Sequence, residues 1–196
     1  MGAFSFYPGK NLGAFGDGGC IITNKKKYYI LCKKIRNHGA LKKYDHTILG
    51  RNSRLDTIQS EVLSERLTSY NLAIKKRNLI AKIYDKELRN INQLQIPQKK
   101  TNNYNVYHQY VVRTNRRNQL QNFLRSKKIE TMIHYPYMLS ELKIFHNSKG
   151  TKTLKNSKNL GKKILSLPIS EEHNLNEIYY IIKNIKLFFK KKSQNI

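Results

Sequence analysis

Cysteine is nearly missing from this sequence: Cys20 and Cys32 stand twelve residues apart and form no Cys-x-x-Cys pair. That spacing excludes a disulfide framework or a thiolate zinc site and fits a reducing compartment. His38 and His46 have no metal-ligand spacing with either cysteine, so no metal is assigned. No run of 18 apolar residues occurs, and Pro8, Gly9 and Lys10 interrupt the first ten residues. A membrane-spanning helix and a secretory signal core are therefore not expected, and the expected location is cytoplasmic. Acidic side chains are also scarce, 12 against 38 Lys and Arg, which leaves a net charge of +26. Such a charge ordinarily points to nucleic acid or an anionic membrane. Here lysine, asparagine and isoleucine are abundant along the whole chain and the 13 tyrosines are scattered. The pattern is a drift of composition and does not mark a basic groove lined with aromatics.

What is present is concentrated near the start. Two short apolar runs, Phe4 to Tyr7 and Cys20 to Thr23, have strand-like length and are separated by a glycine-rich segment. Within it, Pro8 fixes its own φ and biases Tyr7 towards an extended conformation, while Gly9 permits a course that a side chain would obstruct. Lys10 is thus aimed by a tight turn. An aimed amine beside the Ser5 hydroxyl and several backbone N–H groups suits an aldehyde cofactor that carries a phosphate, with the amine forming a Schiff base. The competing reading is a solvated charge, one of 28 lysines.

Downstream, Tyr28, Leu31, Cys32 and Ile35 have helical spacing that stops at Asn37-His38-Gly39, and this helix is expected to lie against the two strands. Residues Ala40 to Arg51 are irregular and read as a loop. From Asp56 to Asn90, Ile58, Val62, Leu63, Leu67, Tyr70, Ile74, Leu79, Ile83, Tyr84 and Leu88 keep close to a 3.6-residue period without proline. This predicts one long helix, or two joined near Tyr70-Asn71. Pro97 and the polar run from Lys99 to Asn105 mark a boundary. Beyond it the spacing predicts a strand over Tyr107 to Val112, a helix over Arg117 to Lys127 and a second strand over Ile129 to Tyr135. A loop with a short helix follows over Lys143 to Gly161, then an apolar run over Leu165 to Ile169, a closing helix over Leu175 to Phe189 and a frayed tail over Lys190 to Ile196.

Several segments together resemble one family. Phe4-Ser5-Phe6, Lys10-Asn11-Leu12-Gly13 and Gly16-Asp17-Gly18-Gly19 are followed in order by Arg36-Asn37-His38-Gly39, Gly50-Arg51-Asn52-Ser53-Arg54-Leu55-Asp56, Ile133-His134-Tyr135-Pro136 and Leu165-Ser166-Leu167-Pro168. The set resembles the DegT/DnrJ/EryC1/StrS family of pyridoxal-phosphate-dependent sugar aminotransferases. The resemblance implies an α/β fold of the aspartate-aminotransferase type (fold type I). Residues 1–55 would be a remnant of the cofactor-binding large domain, 56–96 a connecting helix or helices, and 97–196 a small α/β domain. It also implies pyridoxal 5'-phosphate as cofactor, a nucleotide-linked sugar with a keto group as substrate and glutamate as amino donor.

The roles carried over are specific. Lys10 matches the lysine that holds the cofactor and moves the proton; Ser5 and Asn11 match cofactor-binding positions. Asn52 matches an asparagine that reaches the cofactor phosphate of a neighbouring subunit, although an asparagine there also reads as an ordinary helix-start residue. His134 and Tyr135 match the nucleotide-sugar site, or else form a half-buried pair that supports a domain interface. Tyr7 is a further candidate for sugar contact. In the resembled enzymes the aspartate facing the pyridine nitrogen and the ring-stacking residue lie upstream of the lysine, where this sequence has only nine residues. The expectation is a C-terminal portion, truncated or split, weakly active or inactive alone, working as a homodimer or with a partner chain that supplies the other half. A non-catalytic dimerisation module and a basic nucleic-acid binder are the alternative classes. If the charge is compositional, DNA affinity at physiological salt should be no tighter than about 10⁻⁴–10⁻⁶ M, without sequence preference. A salt-titrated gel shift that shows tighter or sequence-selective binding would favour the nucleic-acid reading.

Overall fold

Pairing of the two runs that flank the lysine segment begins the fold. In the computed structural model, which describes residues 1–98, 103–145 and 154–190, β1 (Gly2–Ser5) and β2 (Gly19–Ile22) form an antiparallel pair, with Phe4 opposite Cys20. β1 sits two residues earlier than its apolar run suggests, because Phe6 and Tyr7 already belong to the loop, and β2 sits one residue earlier. The chain divides into two units, Met1–Leu72 and Ala73–Ile196.

In the first unit, α1 (Lys26–Ile35) follows β2 and ends where the Asn-His-Gly signal predicts. It contains no buried residue, and Tyr28, Tyr29, Leu31 and Ile35 stay well exposed. The two-stranded ribbon presents too little surface to bury the apolar stripe of α1, although Tyr28 lines a shallow pocket with Gly2 and Ile22 of the strands. Residues 40–51 form the irregular loop expected, and its base is narrow. Gly39 has φ +82, and a Cβ there would lie 1.7 Å from the Ile48 carbonyl oxygen; one on Gly50 would lie 2.1 Å from the Gly39 nitrogen. Only glycine fits either position. The long periodic stretch is one uninterrupted helix, α2 (Thr57–Leu88), with no break at Tyr70-Asn71.

The second unit holds the principal core. β3 (Tyr110–Arg113) pairs antiparallel with β4 (Ile164–Leu167), Val111 opposite Ser166. Around them lie the second half of α2, α3 (Arg117–Ser126), α4 (Lys155–Gly161) and α5 (Leu175–Lys190). Leu120 and Leu124 of α3, Ile178, Ile182 and Ile185 of α5, and Tyr84 and Leu88 of α2 bury together with Tyr110, Val112 and Leu165. α5 begins with a reciprocal cap. The Asn174 backbone N–H donates to the Glu177 carboxylate and the Glu177 N–H donates to Asn174 Oδ1, each at 3.0 Å.

Two strand expectations are corrected here. β3 starts at Tyr110 because Tyr107 has φ 44, outside the extended region, with its N–H turned onto Asn105 Oδ1 at 2.9 Å. Residues 129–135 give a single rung, Met132 with Ser166, and then leave the sheet before Pro136, which has no N–H with which to extend pairing. Residues 99–102 of the polar boundary, 146–153 of the expected loop and 191–196 of the expected frayed tail lie outside the described residues.

Polar groups tie this core together. The Tyr110 hydroxyl donates to Asp85 Oδ1 at 2.7 Å, and the Tyr84 hydroxyl donates to the Pro168 carbonyl at 2.9 Å. The Arg77 guanidinium, almost wholly buried, bonds Glu171 Oε2 at 2.6 Å and the carbonyls of Tyr107 and Ile169 at 3.1 Å. Burial pushes the Tyr84 and Tyr110 phenols well above the ordinary tyrosine range, and the Asp85 carboxylate adds to the shift at Tyr110. A phenol raised on folding contributes stability below its unfolded pKa of about 10, and that contribution is lost as pH rises above it. The denaturant midpoint of the second unit should therefore hold steady from pH 8 to 9.5 and fall progressively above pH 10. Tyr110→Phe should flatten that fall while costing about 1–3 kcal/mol at pH 7, because Asp85 loses a buried donor. Denaturant titrations by circular dichroism across this range decide it, and an alkaline fall equally steep in the variant would contradict it.

Candidate active site

The lysine turn is built by backbone bonds. Phe6 N–H donates to the Gly18 carbonyl and Phe6 C=O accepts from Ala14 N–H, both at 2.8 Å, which closes the loop between β1 and β2. Inside that closure Lys10 N–H donates to the Tyr7 carbonyl at 2.8 Å, forming the turn that Pro8 and Gly9 predict. Gly13 passes so close to the turn that a Cβ would lie 2.4 Å from the Pro8 carbonyl oxygen. Lys10 and Asn11 are half-buried, and Ala14 is fully buried. Ser5 ends β1, and its Oγ accepts from Tyr7 N–H at 3.2 Å. Ser5, Tyr7 and Lys10 are thereby linked through successive hydrogen bonds, with the Tyr7 ring exposed.

The loop after the turn is held by side chains that sequence reasoning missed. Gln59 Oε1 accepts from Phe15 N–H at 2.8 Å and from Gly16 N–H at 3.1 Å. Arg66 Nη1 donates to the Gly13 carbonyl at 2.6 Å, and its guanidinium lies 5.4 Å from the Phe15 ring centroid. The available signal was their spacing: Gln59, buried Leu63 and Arg66 share one face of α2 at i, i+4 and i+7.

Asn52 is placed by a different device. It forms an isolated bridge with Asn37, flanked by bonds from His38 N–H to the Arg51 carbonyl and from Ser53 N–H to the Arg36 carbonyl. Its Oδ1 accepts from Arg54 Nε at 3.1 Å, and the residue is exposed. It stands five residues ahead of α2, so the helix-start reading does not describe it.

His134 and Tyr135 belong to the second unit, and Lys10 to the first. The ring of His134 makes a 2.8 Å bond through Nδ1 with Ser166 Oγ, which leaves Nε2 as the ring nitrogen outside that bond. Tyr135 is exposed and meets the His134 ring edge-on at 5.5 Å between centroids. Ser166, from the Leu-Ser-Leu-Pro segment, is thus the anchor of that histidine. Among the described residues no cluster of three His, Cys, Asp or Glu side chains could hold a metal, and no helix is long and apolar enough to cross a membrane.

Residues 1–186 match the model of the DegT/DnrJ/EryC1/StrS aminotransferase family. This chain belongs to that family. A Geobacillus stearothermophilus "Pleiotropic regulatory protein" is 37% identical over 95% of this chain and 51% of its own length. A Streptomyces venezuelae dTDP-3-amino-3,4,6-trideoxy-alpha-D-glucose transaminase is 35% identical over 86% of this chain and 45% of its own. The crystal structure of S. venezuelae DesV in complex with a ketimine intermediate superposes with a TM-score of 0.91 at 32% identity, covering 95% of this chain and 51% of that one. A family aminotransferase from Brucella abortus gives 0.90 at 31%, over 96% and 50%. The chain thus has the mixed α/β fold of these sugar aminotransferases over about half the length of the relatives it matches.

Ser166 gives a direct test of the second-unit group. Ser166→Ala removes the buried partner of His134 Nδ1 and should cost about 1 kcal/mol of stability. It should also move the His134 ring resonances in a histidine-selective NMR spectrum. Unchanged resonances would show that this bond is not made in solution.

Proposed function

We propose that this chain supplies the lysine-bearing part of a pyridoxal-phosphate-dependent aminotransferase that transfers an amino group from glutamate to a keto group of a nucleotide-linked sugar. The observation that carries the reading is the Lys10 turn, whose backbone is closed by the Phe6 and Tyr7 bonds in a chain matched to the family over residues 1–186. The donor set suits the cofactor: a primary amine at Lys10, a hydroxyl at Ser5 and carboxamides at Asn11 and Asn52. Lys10 Nζ would hold the aldehyde carbon, Ser5 Oγ would serve the phosphate, and Asn52 would reach the cofactor phosphate of a neighbouring subunit. When bound, the cofactor supplies an electron sink for the substrate carbon. Lys10 Nζ then moves a proton to and from that carbon, a task that needs the amine held at a fixed point.

His134 Nε2, Tyr135 and Tyr7 are proposed to face the sugar nucleotide. The substrate class is supported by the transaminase relative, whose name carries a dTDP-sugar. The carboxylate that faces the ring nitrogen in the resembled enzymes would come from the part of the fold that this sequence does not span, on the same polypeptide or on a second one. Exposed apolar side chains in the first unit support such a partner or a homodimer: Phe15 is 71% exposed, Leu49 98% and Ile58 73%. Residues 56–96 would connect the cofactor-binding part to the small domain.

Adding pyridoxal phosphate to the chain should produce a new near-visible absorbance band, and Lys10→Ala should abolish it. Persistence of the band in Lys10→Ala would assign the amine to another lysine and end this reading.

A further inference from the structure

The bonds from α2 to the loop that follows the lysine turn have no part in the chemistry described so far. Gln59 Oε1 takes two consecutive backbone N–H groups, Phe15 and Gly16, and Arg66 takes the Gly13 carbonyl from the same helix face. Gly13 lies against the Pro8 carbonyl, and Ala14 is bonded to Phe6. The segment from Gly13 to Gly16 is therefore fixed on one side by the turn and on the other by the helix.

We propose that Gln59 and Arg66 are positioning residues for Lys10. They tie the backbone three to six residues after the lysine to α2, so the turn cannot open and its amine stays aimed. This rests on the reading in which Lys10 carries the cofactor. A carboxamide suits the task because one oxygen has two lone pairs for two N–H donors. Arg66 adds a charge-assisted bond to the carbonyl side of the same loop.

The test uses the full 196-residue chain, pyridoxal phosphate, borohydride reduction and peptide mass spectrometry, which reads the ratio of pyridoxyl label on Lys10 to label on the other lysines. The wild-type chain should label Lys10 in clear preference. Gln59→Leu should lower that ratio about tenfold, since both acceptor bonds go, and should speed hydrogen exchange at the Phe15 and Gly16 amides. Gln59→Glu, whose carboxylate still accepts both bonds, should retain the preference, which a loss of packing alone would not explain. Should Gln59→Leu lose its helical circular dichroism, Arg66→Met carries the same expectation with an aliphatic stem kept beside Phe15. A wild-type chain with no preference for Lys10 overturns the lysine reading and this proposal with it. Preference in the wild type that survives unchanged in Gln59→Leu and Arg66→Met overturns the positioning role alone.

Discussion

Both backbone groups of Phe6 are engaged across the loop, its N–H with Gly18 and its C=O with Ala14. The candidate site depends on this closure. It fixes residues 6 to 18 as a compact excursion from a two-stranded ribbon and sets Lys10 at the turn inside it. The cost is paid in side-chain freedom: Gly13 and Gly19 could not carry a Cβ, which would fall 2.4 Å from the Pro8 oxygen and 2.8 Å from the Phe4 oxygen. Each such bond contributes only about 1 kcal/mol net, so the loop is held by several of them acting together.

The two units are stabilised by different means. In Met1–Leu72 the buried apolar residues are Ala14, Ala40 and Leu63, among the described residues. Hydrogen bonds and glycine crossings, which define shape without burying much surface, dominate there. In Ala73–Ile196, aromatic and branched side chains from α2, β3, α3, β4 and α5 enclose one core, and burial is the larger source of folding free energy. The first unit thus rests on a weakly buried frame and the second on a well-packed core.

Much of this was legible in the sequence because helical periodicity survives the unusual composition. The stripes of α2, α3 and α5 stand out since isoleucine and leucine keep their spacing among lysines, and the turn at Lys10 is announced by Pro8 and Gly9. Strand ends were less legible. Tyr107 looks like a strand residue, and the local Asx bond from Asn105 overrides that preference. Ile129 to Tyr135 has strand composition, but pairing depends on an available edge, which β4 offers for one rung only. Gln59, Arg66 and Ser166 were missed for a common reason. Each acts on a partner more than 30 residues away, and although the spacing of Gln59 and Arg66 marks a shared helix face, it does not say which loop that face meets. Asn52 could be read as a helix start until its bridge with Asn37 showed that it closes a loop.

That loop has a geometry of its own. Gly39 and Gly50 are in backbone contact at its neck, the Ala40–His46 bridge and the Thr47 N–H bond to the Gly39 carbonyl close the next layer, and residues 41–45 form an exposed tip beyond them. Loop tips of this type accept insertion and replacement, because closure entropy grows only slowly with length. The two glycines and the bonds of His46 and Thr47 thus fix the course of the chain from α1 to α2, while the tip at residues 41–45 lies outside them. The segment can acquire a new contact surface without any change to the frame that carries the lysine.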